Sequence, residues 1–360
     1  MPDLGTTSLL YSARPTLTLD GQERGDLREA LLTLAVTETW EGLAHAEVAF
    51  GAWGTAAGEP GLLYMDRSEF DFGQSFEIAM GEASASQSIF KGRITGIEGR
   101  FPAARPPQMS VLAEDPLQDL RMIRRSRVFE DIDDAGIFER VASDHGLTPN
   151  IDVSGPQHRA IAQLNQSDLA FLRSRARAVD AELWVTDGTL NVQARARRET
   201  DRIELTYGRG LHEFSVLADL SHQRTAMRIG GWDVAAAEAM DVTAGAEVVT
   251  SDPGAGPSGP DLLAAQFGDR IEAEVHHALA SVDEAQTCAN ARMAQIARQF
   301  ITGRGTAEGD GRIRVGTILT LRGIGAMFDG DYYVTETCHE MDDTAGYRTQ
   351  FTVERAKLEV

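Results

Sequence analysis

From residue 16 to about 109, apolar and polar positions alternate in short runs divided by glycines. The run "TLTLDGQ" alternates and then meets Asp20-Gly21, a dipeptide suited to a tight hairpin turn. "REALLTLAVTET" is mixed, and its second half reads as strand. "HAEVAFGAW", "QSFEIAMG", "SIFKGRITGIEGRF" and "MSVLAE" are further short strands, the last preceded by the proline-rich loop "FPAARPPQ". Strands at this spacing predict a small barrel or sandwich.

The period changes from residue 115. A short helix in "DPLQDL" leads into the basic stretch "RMIRRSR". In "DIDDAGIFERVASDHGL", Ile137, Phe138, Val141 and Ala142 fall on one helical face. Asp133 or Asp134 caps its start, and Gly146 ends it in the left-handed conformation. A second helix is capped by Ser167 and carries the stripe Leu169, Leu172, Ala176 and Val179, before a hairpin turning at Asp187-Gly188. β signals return over 203–234. "TSDPGAGPSGP", at 250–260, reads as a flexible surface loop, being dominated by Gly, Pro and Ser. The longest helix follows, opened by the S-x-x-E capping box of Ser281 and Glu284. Its apolar side is Ala285, Cys288, Ala289, Met293, Ile296, Ala297 and Phe300. The remainder is strand–turn–strand to the end.

The expected class is therefore α+β, predominantly β. The expected layout is a first β domain over 1–113, an α+β insertion over 114–205, and a second β domain from 206–235 and 310–360. A further insertion occupies 236–309, with the flexible loop 250–260 and a helix over 282–301.

Charge narrows the partners. The formal net charge of −21 disfavours nucleic acid and anionic membrane surfaces. Two cysteines, Cys288 and Cys338, are too few for a disulfide framework or a thiolate zinc site. No run approaches the roughly 20 apolar residues of a membrane helix, and the first residues lack a basic segment followed by an apolar one. The expectation is a protein made and folded in the cytoplasm.

The densest chemistry lies in "YYVTETCHEMDDTAGYRTQF". Cys338, His339 and Glu340 suggest a hydrolase or a metal centre. In a strand, however, neighbours point to opposite faces, so Cys338 and His339 cannot share an ion. The strand after the turn alternates: Tyr347, Thr349, Phe351 and Val353 on one side, Arg348, Gln350, Thr352 and Glu354 on the other. An antiparallel hairpin with a polar tip at Asp342 and Asp343 accounts for the segment better. "EDIDDAG" matches a calcium loop at Asp131, Asp133 and Gly136, but Ala135 and Ala142 stand where ligands are required. "GRGTAEGDG" and "GIGAMFDG" lack the Lys-Ser/Thr of a phosphate loop and read as turns. His276-His277 has no ligand partner one helical turn on. A carbohydrate- or receptor-binding surface built on Trp40 and Trp53 is a further alternative, although such residues are more often core. No catalytic, cofactor or metal residues are expected. The arginines of "RMIRRSR" (Arg121, Arg124, Arg125, Arg127), the helical Arg173, Arg175 and Arg177, and the tip residues Asp342 and Asp343 are candidate subunit or partner contacts.

Several stretches together resemble one family. "IFKGRITGIEGRF" is similar to a strand of its first β domain, and "SRVFEDIDDAGIFERVASDHGL" to a phenylalanine-led helix ending in Gly-Leu. "QLNQSDLAFLRSRARAVDAELWV" resembles its helix-and-hairpin signature. "RIGGWDVAAAEAM" resembles a Gly-Trp-Asp piece. "SVDEAQTCANARMAQIARQF" followed by "VGTILTLRGIGAMFDGDYYVTETCHEMDDTAGYRTQFTV" resembles its C-terminal block. The family is the late control gene D family of phage tail proteins, which includes baseplate hubs of contractile tails and is related to the hub module of type VI secretion spike proteins. The resemblance implies a structural protein rather than an enzyme. It implies two similar β-barrel domains of the tail-tube type per subunit and a homotrimer that forms a ring of six quasi-equivalent barrels. It further implies a tail tube protein on one face, a spike on the other and other baseplate proteins at the periphery, with no cofactor. No oligosaccharide-binding-type domain or needle follows in the sequence, so the spike is expected to be a separate chain. Phage and domesticated injection system share this part, and the sequence does not separate them.

Overall fold

The computed structural model describes residues 15–56, 59–81, 86–198, 201–233, 237–275, 279 and 281–358. His276-His277 lies outside the described residues.

The N-terminal block contributes six principal strands: β1 (Thr16–Leu19), β2 (Leu31–Thr39), β3 (His45–Gly51), β4 (Ser75–Met80), β5 (Gln87–Arg100) and β6 (Gln108–Glu114). They lie in the order β1-β4-β5-β6-β3-β2. Alternation decides which face is buried: Leu34 and Val36, Val48 and Phe50, Phe76 and Ile78, and Met109, Val111 and Ala113 all point into one core. The turn at Asp20-Gly21 is present, with both residues at positive φ.

The middle domain follows the predicted pattern. It consists of β7 (Arg124–Ile132), α1 (Asp134–Asp144), β8 (Thr148–Asp152), β9 (His158–Ser167), α2 (Asp168–Ala178), β10 (Ala181–Thr186) and β11 (Thr189–Ala194). Asp133 is the cap of α1, its carboxylate accepting the Gly136 N–H at 2.8 Å. Gly146 has φ +68°, and Ser167 caps α2 by accepting the Ala170 N–H at 3.2 Å. The apolar stripes of both helices join one core with Phe129, Leu183, Leu190 and Val192.

The chain then enters a second β unit through β12 (Arg202–Tyr207) and β13 (Gly210–Ala218) and leaves it at once. The excursion comprises β14 (Ala226–Asp233), β15 (Glu238–Ala244), α3 (Gly259–Phe267), β16 (Ile271–Glu274) and α4 (Val282–Arg298). Four strands complete the unit: β17 (Ile301–Glu308), β18 (Ile318–Arg322), β19 (Gly330–Asp342) and β20 (Gly346–Arg355). Their order is β19-β18-β12-β13-β17-β20, and β20 pairs back onto β19, closing a six-stranded barrel. It is mixed, since β12 runs parallel to both β13 and β18.

Of the two barrels expected, the structure closes one. Among the described residues the first block stays an open sheet. Its edge strand β2 spends its free hydrogen bonds on β19, from Thr33↔Asp342 to Thr39↔Glu336, instead of returning to β1. The two units are thus one continuous 13-stranded sheet. Two boundaries also move. β14, expected in the barrel, pairs with β15 and β16 in the excursion, and β17, expected in the excursion, is a barrel strand.

The barrel interior is filled. Leu211, Leu319, Leu321, Tyr332, Val334, Phe351 and Val353 are buried in it, with Phe214 packed against them. Phe214 meets Tyr332 edge-on at 5.8 Å between ring centroids. The glycines of "GRGTAEGDG" were expected in turns, yet Gly303 and Gly305 sit mid-strand in β17. A Cβ on Gly303 would lie 2.5 Å from the Phe214 ring, and one on Gly305 would lie 2.5 Å from the Phe351 ring. The glycines are there because aromatic rings lie flat across the strand.

The segment 250–260, expected to be a flexible loop, is held down instead. Lys357 Nζ donates to the carbonyls of Thr250 (2.6 Å) and Asp252 (2.9 Å). Gly259 N–H donates to Ala356 O, and Leu358 N–H to Pro257 O. Ser258 and Asp261 then form a full capping box for α3.

Candidate functional site

The C-terminal hairpin was the leading chemical candidate. β19 and β20 place Cys338 opposite Gln350, and His339 opposite Thr349. Alternation separates the two as expected: His339 is fully buried, whereas Cys338 is half-buried on the other face. Nδ1 of His339 lies 2.9 Å from the Tyr347 hydroxyl and 3.2 Å from Thr349 Oγ1. Burial, reinforced by the nearby Arg314 cation, pushes its pKa down to about 3. Cys338 Sγ accepts from Thr37 Oγ1 at 3.4 Å and donates to Glu340 at 3.6 Å. Burial pushes that thiol up to about 11, the opposite of an activated nucleophile. A neutral buried imidazole and an inert thiol on opposite faces do not make a nucleophile–base pair. Among the described residues no cluster of three or more His, Cys, Asp or Glu side chains is arranged to hold a metal ion. At the tip, Asp342 Oδ1 accepts the N–H groups of Thr344 (2.7 Å) and Ala345 (2.6 Å), which fixes the turn. Asp343 beside it is exposed.

The arginines proposed as partner contacts divide into two sets. Arg173, Arg175 and Arg177 on α2 face their own chain. Arg173 donates to the carbonyls of Glu41 (2.7 Å) and Gly42 (2.8 Å), clamping the β2–β3 turn to the middle domain. Arg177 pairs with Glu41. Arg175 makes a two-point bond to Asp134 at 2.6 and 3.0 Å, with His158 alongside at 3.1 Å from Asp134. Burial acts to raise the pKa of Asp134, but His158 and Arg175 hold it below the ordinary carboxylate value. Of the "RMIRRSR" arginines, Arg127 bonds Gln163, Asp144 and Asp168, and Arg125 lies 3.3 Å from Asp168. Arg121 pairs with Glu114 at the surface. Arg124 is exposed and has no ion-pair partner among the described residues.

Sequence reasoning missed the polar groups that lock the domains together. Arg298, at the end of α4, is 3% exposed and binds Asp180 at 2.6 and 2.8 Å and Asp252 at 2.6 Å. It ties the excursion to the middle domain and to the 250–260 segment. Glu182 of β10 accepts from the Tyr333 hydroxyl and from Arg198, both at 2.5 Å. Arg195 stacks on the Tyr333 ring at 3.7 Å and pairs with Glu354. Asp115, at the exit from β6, accepts the N–H groups of Ala44 and Leu117 at 2.8 Å each. Burial raises its pKa to about 6. No spacing rule links Arg298 to Asp180, Glu182 to Tyr333, Arg195 to Glu354 or Asp115 to Ala44, because in each case the two partners come from different parts of the fold.

Trp40 borders a cleft of about 590 Å³ between the first sheet, the middle domain and the barrel, together with Trp184, Lys91 and Arg314. Trp53 is elsewhere, on a separate exposed hairpin where it pairs across from Leu62. The two tryptophans considered as stacking surfaces thus lie in separate places, Trp40 at the cleft and Trp53 on the hairpin. No described helix is long and apolar enough to cross a membrane.

A family profile described as the Alg8 N-terminal domain matches residues 28–343. No curated protein matches the sequence. Solved structures do. The 43 kDa tail protein of prophage MuSo2 from Shewanella oneidensis superposes with a TM-score of 0.68 at 14% identity, covering 96% of this chain and 98% of that one. A tail protein from Neisseria meningitidis MC58 gives 0.69 at 10% identity, covering 96% and 97%. The E. coli c3393 protein is described as a type VI secretion component with structural similarity to the T4 tail proteins gp27 and gp5. It gives 0.59 at 12% identity, covering 95% of this chain and 77% of that one. At these identities the likeness is one of fold, and the fold is that of phage tail proteins.

Proposed function

From a chain that belongs to the Alg8 N-terminal domain family and has the fold of phage tail proteins, we propose a baseplate hub. It is the structural part that adapts a sixfold tail tube to a threefold spike, in a phage tail or a related contractile injection system. It acts as a homotrimer, with the tube on one face, a spike on the other and further baseplate proteins around it. It is made and assembled in the bacterial cytoplasm.

The observation that carries this reading is the continuous sheet in which two six-stranded units stand side by side. Three such chains supply six units, the number a sixfold tube requires. The packed barrel interior supports it in a second way. A barrel filled by Phe214, Tyr332 and Phe351 is no conduit, so an axial passage has to run between subunits. Arg124 and Asp343, exposed and of opposite charge, remain the simplest of the predicted residues to assign to contacts between chains. The net charge favours an acidic channel lining, since chains carrying −21 each have few cations to spare.

Mass measurement by light scattering, alone and with the tube and spike proteins encoded beside it, tests the reading. A trimer that binds both is expected. A strict monomer that binds neither would refute it.

A further inference from the structure

We infer that His158 is a proton-sensitive clasp between the middle domain and the excursion helix α4. When its imidazole carries a second proton, it ties the start of α4 to α1 through Asp134 and Glu284. When that proton leaves, the start of α4 is held less tightly.

Four elements meet at the ring. His158 opens β9, opposite Ile132 of β7, and is 3% exposed. Its Nε2 lies 3.1 Å from Asp134 Oδ2, in the first turn of α1. Its Nδ1 lies 3.5 Å from Glu284 Oε1, in the first turn of α4. From α2 comes Arg175, whose two-point bond to Asp134 brings Nη2 to 3.1 Å from the same Nε2. At the helix start, Ser281 accepts the Glu284 N–H at 3.2 Å, half of the capping box expected there, while the Glu284 carboxylate lies toward His158.

Each ring nitrogen therefore faces a carboxylate. A neutral imidazole has one N–H and donates to one of them. In that state Nε2 accepts from Arg175 and Nδ1–H points to Glu284. The imidazolium donates to both, and its bond to Glu284 becomes charge-assisted. The charges around the ring suit both states. Two carboxylates and one guanidinium meet there, so the second proton brings the group to neutrality. The other charged side chains bordering the adjoining cavity, Arg177 and Arg292, lie with Glu41 and Glu274. Burial raises the pKa of the Cys288 thiol in that cavity, which keeps it uncharged.

The clasp stands at one end of a gap. A cavity of about 420 Å³ separates α2 from α4, lined by Ser174 and Ala178 on one helix and by Glu284, Thr287, Cys288 and Gln295 on the other. At its far end Gln295 donates to the Arg177 carbonyl at 2.9 Å, and Arg298 binds Asp180 and Asp252. Arginine is a cation at any ordinary pH, so that end stays fixed. Histidine is a cation in acid alone, so the Glu284 end responds to protons.

Hydrogen exchange of the full-length protein tests this, read by mass spectrometry from about pH 5 to about pH 8 and corrected for the intrinsic rate. Protection over 283–291 is expected to fall about tenfold across that range, the difference between a charge-assisted and a neutral hydrogen bond. Protection over 292–298 is expected to hold. His158→Gln and Glu284→Gln should each abolish the pH dependence. Equal protection of 283–291 at both ends of the range in the wild type would overturn the clasp, as would a His158→Gln profile that matches the wild type. NMR titration of the His158 ring in the wild type needs no variant. A ring that keeps one protonation state throughout the range would overturn the clasp as well.

Discussion

His339 and Tyr347 face each other inside the closing hairpin, the Tyr347 hydroxyl 2.9 Å from His339 Nδ1. Burial, with the Arg314 cation nearby, keeps the imidazole neutral in this contact. The folded-state pKa of about 3 lies below the ordinary 6.5. The unfolded chain therefore binds a proton between those values that the folded chain refuses. Stability from this group is complete above pH 6.5 and is lost as pH falls toward 3, by at most about 1.4 kcal/mol per pH unit. Urea denaturation at several pH values should show His339→Gln with a shallower acid dependence than wild type. Parallel curves would mean that the unfolded state does not carry the expected proton.

Cys338 should be slow to react. With its pKa raised from 9.0 to about 11, the thiolate fraction at neutral pH falls about 100-fold. Mass spectrometry after iodoacetamide treatment is expected to show labelling of Cys338 at least about 100-fold slower in the folded protein than in urea. Equal rates would show that the hairpin opens on that timescale.

Arg298 is the strongest single lock. Replacing it with Met leaves Asp180 and Asp252 without their shared cation in a buried setting. A loss of about 3–5 kcal/mol is expected, read as a lower denaturation midpoint. A change below about 1 kcal/mol would show that water reaches the site and screens it.

Gly305 and Phe351 should be coupled. A Cβ at 305 collides with the Phe351 ring at 2.5 Å and with Glu213 O at 2.9 Å. Gly305→Ala alone should cost about 1–3 kcal/mol through overpacking, and Phe351→Ala alone about 3–5 kcal/mol. The double variant should cost less than the two together, because the second change removes the ring the first one strikes. Strict additivity in denaturation experiments would contradict the packing described.

Local signals in the sequence located most elements. The caps Asp133 and Ser167, the turn at Gly146 and the alternation from Tyr347 to Glu354 each depend on residues a few positions apart, and each is where the pattern puts it. The helix α3 was overlooked although Ser258 and Asp261 carry the spacing of a capping box, because the preceding glycines and prolines dominate the local composition. The closure of one sheet and the opening of the other depended on the partner of β2, which lies about three hundred residues away, and no local pattern encodes that choice. The same holds for the arginines. Arg124 and Arg127 look alike in "RMIRRSR", yet strand alternation turns one outward and the other into a network with Asp144 and Asp168. The reactive look of Cys338, His339 and Glu340 was dispelled by alternation alone, and burial supplied the reason.

The seam between β2 and β19 has a mechanical consequence. The Asp342–Gly346 turn lies at one end of these strands and Thr39 and Glu336 at the other, so a force applied between the two ends runs along the strands. The hydrogen bonds from Thr33↔Asp342 to Thr39↔Glu336 are then loaded in shear. Bonds in shear resist together, whereas bonds peeled from one end fail one after another. Two units joined in this way respond to such a load as a single strut.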